Sequence, residues 1–421
     1  MKRAPIRCDV AVIGAGPAGL AAAVEAANEG AQNVLLLERD DHLGGILQQC
    51  IHSGFGLHLF GEDLTGPEYA ERFIDRLSST PVRPMLHTMV VELRPDRSIL
   101  AVSRRGGLQE ILPSAVVLAM GCRERTRGAI AVPGSRPAGV MSAGQAQRFI
   151  NIEGILPGRE IVVLGSGDIG MIMARRLHLE GCMVRAVVEA GSCIGGLSRN
   201  LVQCIQDFGI PLYLSHTVSE IHGQSRVEGV HVAPIASDGT LERGRAFRLD
   251  CDTLLLSVGL IPENELSRQA GIVLDRPTGG PAVDQRFQTS IPGIFAAGNV
   301  VQVFDLVDHV SACGTAAGAA AARYAMGKRA QVRESAVCAG AGVRSLTPQR
   351  VAGNEGMVPF FLRARAQTRK AKVRLIDGGD AVIQEWRFPI VRPPEMIRVE
   401  VDAGNLPQNG AYSFQITGES S

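Results

Sequence analysis

Apolar runs of strand length alternate with glycine turns and alanine-rich stretches near the start of the chain. Val10 to Ile13 form one apolar run, Leu20 to Asn28 are alanine-rich, and Val34 to Leu37 form a second apolar run. A short continuous apolar run followed by a helical stretch is typical of a strand–helix–strand unit with a buried sheet. The first 40 residues therefore predict an α/β fold.

The same order returns further along the chain. Ile161 to Leu164 is the predicted strand, Met171 to Leu179 the helix, and Val184 to Val188 the next strand. A repeated unit of this kind predicts a second α/β domain rather than a longer single sheet.

After Gly327 the pattern changes to alternating apolar and polar positions. Short strands are predicted from Val343 onward, and the sequence Asp-Gly-Gly-Asp at 377–380 is a hairpin signal. This predicts a small all-β domain at 340–405, either a docking surface for a partner subunit or a structural cap. Residues 406–421 lack a pattern, which favours a disordered tail.

Composition and charge exclude several classes of protein. The 421 residues carry 43 Lys and Arg against 42 Asp and Glu, a net charge of +1. This balance gives no reason to expect nucleic-acid binding. No apolar stretch approaches the ~20 residues that span a bilayer, so no direct membrane insertion is expected. The start of the chain lacks a signal-peptide pattern, which predicts a cytoplasmic protein.

The nine cysteines are scattered, and no two of them form a C-x-x-C pair. Zinc and iron–sulfur sites usually show such local spacing. The sequence therefore predicts reduced, mostly buried thiols and no metal site.

Each predicted strand–helix turn carries a complete G-x-G-x-x-G motif. The motifs are Gly14-Ala15-Gly16-Pro17-Ala18-Gly19 and Gly165-Ser166-Gly167-Asp168-Ile169-Gly170. In such a motif the first glycine makes a tight turn, the second lets a pyrophosphate approach, and the third lets helix and strand pack closely. The phosphates lie at the positive end of the helix. Two motifs in one chain predict two bound dinucleotides.

An acidic residue ends the second strand of each unit. Glu38 and Glu189 both lie 24 residues after the first glycine of their motif. Such a carboxylate accepts hydrogen bonds from a ribose diol and repels a 2′-phosphate. Glu189 therefore predicts NAD(H) over NADP(H). The nearby Arg199 weakens this prediction and favours NADP(H).

At this point the chain resembles the two-dinucleotide-binding flavoproteins, the fold of glutathione and thioredoxin reductases. The stretches Val116 to Arg125, Leu254 to Leu266 and Thr289 to Asn299 carry the likeness, together with the two motifs. The resemblance implies an α/β fold with two Rossmann-like three-layer domains. An NAD(H) domain at 158–266 is inserted into an FAD domain at 1–157 and 267–330, and the β domain follows.

The resemblance also implies cofactor-binding residues. For FAD they are Gly14, Gly16, Pro17, Ala18, Gly19, Glu38, Arg39, Gly44, Gly45, Ile46, Gly121, Gly298, Asn299 and Val307. For NAD(H) they are Gly165, Gly167, Asp168, Ile169, Gly170, Glu189 and Gly259. Asn299 stands where the family usually has aspartate, and Val307 begins a helix expected to point its positive end at the flavin.

In disulfide reductases a glycine pair after the first acid is followed by two redox cysteines. Here those positions fall on Leu47 and His52, and Cys50 lies alone between them. A dithiol relay needs two sulfur atoms in bonding geometry, so a disulfide reductase is not expected. Cys50 and His52 are the candidate catalytic residues, with a pocket wall beside the flavin as the alternative. A metal site with His58 is the weaker hypothesis.

A narrower resemblance links the stretches 44–73, 121–147 and 304–314 to NAD-linked flavoprotein subunits of anaerobic-type glycerol-3-phosphate dehydrogenases. More distantly they resemble opine oxidase and hydrogen cyanide synthase subunits. The resemblance implies exchange of hydride with NAD(H) and electron transfer to or from a second FAD-dependent dehydrogenase subunit. A small cysteine-rich protein is a further candidate partner. A self-sufficient dehydrogenase or oxidase of an amine or hydroxy acid, and a scaffold that holds FAD without catalysis, stay open.

Overall fold

A computed structural model describes residues 4–328, 334–353, 356–406 and 410–420 of the chain. The chain divides into two compact units, which are called unit 1 (Met1–Cys122 and Pro262–Ser421) and unit 2 (Arg123–Ile261). Unit 2 is one continuous stretch that separates the two segments of unit 1. Residues 123–157, which were expected in the first segment of the FAD domain, lie in unit 2. The assignment of the two units to an FAD and an NAD(H) domain stays a prediction.

The first segment of unit 1 builds a sheet around the first predicted strand. Its elements are β1 Ile6–Ile13, α1 Pro17–Asn28, β2 Val34–Leu37, β3 Ser53–Phe55, β4 Leu64–Thr65, α2 Gly66–Ser78, β5 Arg83–Met85, β6 Thr88–Leu93, β7 Ile99–Ser103 and β8 Gly107–Leu118. The sheet order is β5-β2-β1-β8-β7-β6. Parallel pairing of β1 with both β2 and β8 confirms the predicted strand–helix–strand unit.

Unit 2 repeats this organisation with a five-stranded parallel sheet. Its elements, with the strands at its two boundaries, are β9 Cys122–Glu124, α3 Arg127–Ile130, β10 Val140–Ser142, α4 Ala143–Asn151, β11 Glu160–Leu164, α5 Asp168–Leu179, β12 Met183–Glu189, α6 Ser198–Leu201, β13 Leu212–Leu214, β14 His216–His222, β15 Gly229–Pro234, β16 Phe247–Leu249, β17 Thr253–Leu256 and β18 Leu260–Pro262. The parallel sheet has the order β10-β17-β11-β12-β13, and β14-β15-β16 form a separate antiparallel sheet.

The chain returns to unit 1 with α7 Glu265–Gln269, β19 Ile294–Ala296 and α8 Val307–Ala325. Strand β19 pairs in parallel with β8 and extends the first sheet. Helices α8 and α1 pack with their backbones in close approach. A Cβ atom on Gly314 or Gly318 would lie 2.2 Å from the carbonyl oxygen of Ala18 or Ala22. These two glycines therefore let α8 lie directly on the helix that follows the first glycine motif.

The C-terminal region is a two-sheet β domain, as predicted. Its strands are β20 Glu334–Ala339, β21 Val343–Thr347, β22 Arg350–Ala352, β23 Met357–Ala364, β24 Thr368–Asp377, β25 Val382–Val391, β26 Met396–Asp402 and β27 Ala411–Ser420. The sheets have the orders β22-β20-β27-β24-β25 and β21-β23-β26. Asp377 closes the predicted hairpin by accepting from the N–H groups of Gly379 and Ala381.

The expected disordered tail is wrong for residues 410–420. They form β27, which lies between β20 and β24 in the middle of the five-stranded sheet. Tyr412, Phe414 and Ile416 alternate along this strand and are buried in the core of the β domain. The period-2 pattern was present in the sequence, and partners at least 35 residues away complete it. The β domain thus begins at Glu334 and includes β27, beyond the predicted limits of 340 and 405. Residues 407–409 and 421 of the predicted tail lie outside the described residues.

Candidate functional site

The first glycine motif forms a tight turn with an open side. Gly14 has φ 99°, a left-handed value that favours glycine, and a Cβ there would lie 2.5 Å from the carbonyl oxygen of Ala119. A Cβ on Gly19 would lie 1.8 Å from the carbonyl oxygen of Gly14, whereas one on Gly16 would meet no protein atom within 4 Å. This geometry fits a phosphate group approaching at Gly16.

The helix N-terminus beside this opening has no side-chain cap. Gly16 is the N-cap of α1, Pro17 follows it, and no side chain accepts from the N-cap region. Uncapped N–H groups and the positive end of the helix together favour an anion. Glu38 lies next to this turn and is buried, with Oε2 accepting from the N–H of Ala15 at 2.8 Å and Oε1 from that of Asp40 at 2.9 Å.

Two further segments of unit 1 come to the same turn. The N–H of Gly44 donates to the carbonyl oxygen of Ala15 at 2.9 Å, and a Cβ on Gly45 would lie 3.0 Å from Cα of Gly16. A Cβ on Gly298 would lie 2.8 Å from Cβ of Ala18. The residues that the sequence placed in three separate stretches thus surround one opening.

The remaining predicted residues of unit 1 lie around this group. Gly121 follows the end of β8 with φ 74°, and Val307 is the first residue of α8. Arg39 and Ile46 are exposed. Asn299 is bound to the protein itself: its Oδ1 accepts from the N–H of Phe304 at 3.0 Å and its Nδ2 lies 3.7 Å from Sγ of Cys122. Its role toward a ribityl chain stays a prediction.

Buried polar atoms without a partner gather just before and within the first turn of α8. Within the part of the chain that the structure describes, Gln302 Nε2, Asp308 Oδ1 and His309 Nδ1 have no hydrogen-bond partner. The other oxygen of Asp308 accepts from the N–H of His58 at 3.0 Å. A buried polar atom without a partner costs about 1–3 kcal/mol, so this set fits a cofactor that supplies polar atoms here.

Sequence reasoning did not select Gln302, Asp308 and His309. The signal that could have found them is an acidic and an imidazole side chain placed in the first turn of an otherwise apolar, alanine-rich helix. Burial lowers the pKa of His309, and the positive charges of Arg398 and His58 act in the same direction. The imidazole is therefore neutral at neutral pH.

The side chains of Cys50 and His52 form hydrogen bonds with different backbone carbonyl groups. The thiol of Cys50 donates to the carbonyl oxygen of Ile46 at 3.3 Å, and burial raises its pKa to about 12. His52 Nδ1 lies 2.9 Å from the carbonyl oxygen of Ser53, and its ring lies 5.0 Å from that of Phe55. A thiol protonated at neutral pH is a poor nucleophile. The geometry favours the pocket-wall interpretation for Cys50.

The second glycine motif, in unit 2, repeats the turn of the first. Gly165 has φ 98°, and a Cβ there would lie 2.1 Å from the carbonyl oxygen of Ser257. A Cβ on Gly170 would lie 2.6 Å from the carbonyl oxygen of Gly165, while the nearest atom to one on Gly167 is 3.4 Å away. Gly167 is the N-cap of α5, again without a side-chain cap.

The carboxylate of Glu189 is held more firmly than that of Glu38. Its Oε2 accepts from both the N–H and the hydroxyl of Ser166, at 2.8 and 2.7 Å, and its Oε1 accepts from the N–H of Gly191 at 2.8 Å. Ser166 takes the place that Ala15 has in unit 1. Its hydroxyl gives the second motif a contact that the sequence motif alone does not predict.

The repeat extends beyond the predicted motif into the following loop. Gly195 lies six residues after Glu189, as Gly44 lies six residues after Glu38. The N–H of Gly195 donates to Oγ of Ser166 at 2.9 Å, which matches the Gly44 contact with residue 15 in unit 1. An acid followed at this spacing by two glycines is the signal in the sequence that this duplication leaves.

Other predicted residues of unit 2 are arranged around this loop and the end of β17. The Oδ1 atom of Asp168 accepts from the N–H of Leu197 at 2.8 Å and from Nδ2 of Asn200 at 2.6 Å, so it anchors the loop; its role toward a nucleotide stays a prediction. Ile169 packs on the core of unit 2, and Gly259 has φ 103° just beyond β17. Arg199 is exposed.

Comparison with known proteins gives a family profile that matches most of the chain. The profile of the pyridine nucleotide-disulphide oxidoreductases matches residues 8–332. Hydrogen cyanide synthase subunit HcnB of Pseudomonas protegens is 29% identical over 285 residues, which are 62% of this chain and 58% of that protein. An opine oxidase subunit of Agrobacterium tumefaciens is 28% identical, over 69% of this chain and 61% of that protein. The chain thus matches about three fifths of the length of these two relatives.

A solved structure shares the fold of the two units. Thioredoxin reductase of T. acidophilum matches with a TM-score of 0.63 at 23% identity, over 77% of this chain and 99% of that one. The small chain of the glutamate synthase [NADPH] of Mycobacterium tuberculosis is 29% identical over 76% of this chain and 67% of that protein.

Among the described residues, no helix is long and apolar enough to cross a membrane.

Proposed function

The chain belongs to the pyridine nucleotide-disulphide oxidoreductase family, whose members bind FAD and NAD(P)H, and we propose that it is the NAD(H)-linked flavoprotein subunit of a larger dehydrogenase or oxidase. Unit 1 holds FAD and unit 2 holds NAD(H). The observation that carries the proposal is the duplicated nucleotide cradle, which consists of the glycine turn, the uncapped helix N-terminus and the acidic residue that ends the second strand. This cradle is complete in both units and has different surroundings in each.

The surroundings of the first motif support the proposal that FAD binds in unit 1. There, the stretches around Gly44 and Gly298 come to the first motif, and α8 brings buried polar atoms without partners. A tightly held cofactor needs such enclosure and such polar groups. In unit 2 the loop after β12 is held by Asp168, and the cradle fits an exchangeable dinucleotide.

Glu189 favours NAD(H) in unit 2. Three donors hold its carboxylate in place at the end of β12. Its Oε1 accepts one of these three hydrogen bonds and retains a lone pair for a ribose hydroxyl, while a 2′-phosphate would meet a fixed negative charge. Arg199, the residue that argued for NADP(H), is exposed.

A flavin bound in unit 1 would supply hydride exchange with the nicotinamide and onward electron transfer, and this chemistry would belong to the cofactor. The chain's residues bind and orient the two nucleotides. Cys50 has no second cysteine at the expected spacing, and its thiol stays protonated, so a dithiol relay is not part of the proposal. Electrons leave to, or arrive from, a partner subunit.

The partner is proposed to be a second FAD-dependent dehydrogenase, of the glycerol-3-phosphate type. The names of two relatives support a subunit role, since one is a hydrogen cyanide synthase subunit and the other an opine oxidase subunit. A small cysteine-rich protein is a further proposed component. The proposal does not include a disulfide-reductase activity.

An arginine-rich stretch at 122–127 would suit an anionic substrate and would thereby favour a self-sufficient enzyme. Its contacts have another explanation. Arg127 donates instead to the carbonyl oxygens of Val132, Gly134 and Ser135 within its own loop. Its guanidinium closes that loop and is not directed at a ligand.

The test is an anaerobic titration of the purified chain, followed by the visible absorbance of the flavin. NADH is expected to bleach the flavin, NADPH to do so with at least about tenfold weaker apparent affinity, and glycerol 3-phosphate to have no effect. Bleaching by glycerol 3-phosphate alone would indicate a self-sufficient dehydrogenase. No bleaching by any of the three would indicate a scaffold and contradict the proposal.

The same substitution in both cradles tests which unit holds which nucleotide. Glu38→Gln is expected to lower the FAD content of the purified chain. Glu189→Gln is expected to leave the FAD content unchanged and to reduce the difference in apparent affinity between NADH and NADPH. The opposite pattern would exchange the assignments of the two units.

A further inference from the structure

Two histidines and a carboxylate share one face of the antiparallel sheet of unit 2. Glu220 and His222 lie on β14, and His231 lies on β15 directly opposite Glu220. His222 Nε2 lies 2.7 Å from His231 Nδ1 and 3.7 Å from Glu220 Oε2. One ligand atom of each residue lies within 4.8 Å of the other two. This set is called the His-Glu cluster.

A β-bulge brings the three side chains to the same face. Val218 pairs with Val232 and Glu220 with His231, so Ser219 is an extra residue on β14. Val218 and Ser219 are consecutive and both buried, which breaks the alternation expected of a strand with one exposed face. The bulge shifts the alternation by one residue and turns Glu220 and His222 outward, onto the face of His231. Without it, Glu220 and His222 would point inward, away from His231.

Imidazole nitrogen and carboxylate oxygen atoms are the donor set of zinc and similar divalent ions. Zinc sites with two histidines and one glutamate commonly leave a fourth position for water. We propose that the His-Glu cluster binds one divalent transition-metal ion, with Zn²⁺ as the best-fitting ion. In a tetrahedral site with Zn–N bonds of about 2.0–2.1 Å the two nitrogen atoms would be about 3.3 Å apart. The two rings, which now share a hydrogen bond, would separate by about 0.6 Å.

The charges around the cluster permit a cation. Arg248 on β16 lies opposite His231 and is the nearest positive side chain on the neighbouring strand. Its Nε donates to the carboxylate of Asp250 at 2.7 Å, so its charge is already paired. Glu228 lies between β14 and β15 and is exposed. The cluster is also accessible, since the side chains of His222 and Glu220 are 29% and 48% exposed.

A bound ion would join β14 to β15 across the bulge, where the backbone pairing is interrupted. It would therefore stabilise unit 2 by binding the folded state only. The ligands lie on two strands at spacings of two and nine residues, Glu220 to His222 and His222 to His231. The prediction of no metal site rested on the spacing of the cysteines, and this cluster contains no cysteine. The inference is independent of the nucleotide chemistry.

The experiment is titration of the purified full chain with Co²⁺, followed by Zn²⁺ in competition. Tetrahedral Co²⁺ bound by histidine and glutamate gives visible d–d bands without the near-ultraviolet band of cobalt–thiolate bonds. We expect one ion per chain with this signature, displaced by Zn²⁺, and a thermal transition of unit 2 that rises with the ion. The thiolate band would instead assign the binding to cysteines and overturn the proposal.

Matched variants locate the ion. His222→Gln and His231→Gln are each expected to weaken binding by more than about 100-fold, because the loss of a supporting residue alone commonly costs about 10–100-fold. Glu220→Gln removes a ligand, whereas Glu228→Gln removes the same charge from a neighbouring position outside the cluster. Weaker binding in Glu220→Gln with unchanged binding in Glu228→Gln supports the site. Unchanged affinity in the double variant His222→Gln/His231→Gln overturns it.

Discussion

The ion pair between Arg363 and Asp305 joins the C-terminal β domain to the segment that precedes α8. Both side chains are largely buried, 16% and 14% exposed. Arg363 lies on β23 and donates to both carboxylate oxygens of Asp305, to the carbonyl oxygen of Val303 at 3.1 Å, and to that of Pro394. Asp305 Oδ2 also accepts from the N–H of Met396 at 2.6 Å.

Arg363→Met keeps most of the alkyl chain and removes the guanidinium. The carboxylate of Asp305 then stays buried without its counter-ion, and two carbonyl oxygens lose their donor. Removal of one partner of a buried ion pair costs about 3–5 kcal/mol, and we expect a loss of unfolding free energy of this size. Because the affected segment leads into the buried polar atoms of Asp308 and His309, the FAD content of the purified chain is also expected to fall.

Urea unfolding followed by the fluorescence of Trp386 measures this loss. Trp386 is the only tryptophan of the chain and lies in the β domain, 6.0 Å from the ring of Phe414. Asp305→Asn and the double variant complete a cycle, in which a coupling free energy of about 1–3 kcal/mol is expected. Lys370→Met, which breaks an exposed ion pair with Glu419, is the control and is expected to leave stability nearly unchanged. Additive losses, or a loss in Arg363→Met no greater than in the control, would refute the reasoning.

Three further predictions follow from single positions. Gly16→Ala is expected to lose FAD but to keep the thermal stability of the FAD-free chain, because its Cβ meets no protein atom within 4 Å. Gly19→Ala is expected to lower the stability of the FAD-free chain, because its Cβ would lie 1.8 Å from the carbonyl oxygen of Gly14. Calorimetry of the FAD-free chains and flavin absorbance separate the two effects, and equal effects would contradict this. Gly318→Leu is expected to shift the thermal transition down, because a Cβ would lie 2.2 Å from the backbone of α1; an unchanged transition would be the contrary result. At pH 7, Cys50 is expected to react with iodoacetamide more slowly than the exposed Cys193, and it should become reactive only as the pH rises toward its raised pKa of about 12. Peptide mass spectrometry measures the alkylation, and fast alkylation of Cys50 at pH 7 would mean that it is a thiolate.

The sequence alone determined the parts of the fold that rest on short-range contacts. The strand Val34–Leu37 and the start of α8 at Val307 agree with the apolar pattern, and both glycine turns have the predicted geometry. The contact of Glu38 with Ala15 spans 23 residues within one strand–helix–strand unit. A motif of this length specifies its own turn, because the steric demands of glycine and the strand order leave one arrangement.

Only the tertiary structure decided the features that depend on distant pairing. Strand β27 became part of the C-terminal core through partners on β20 and β24, and Asp308 met His58 across 250 residues. The His-Glu cluster depends on one extra residue in β14, which reverses the face of every side chain beyond it. A sequence pattern states which residues alternate, but register and burial arise only when the neighbouring strand is in place.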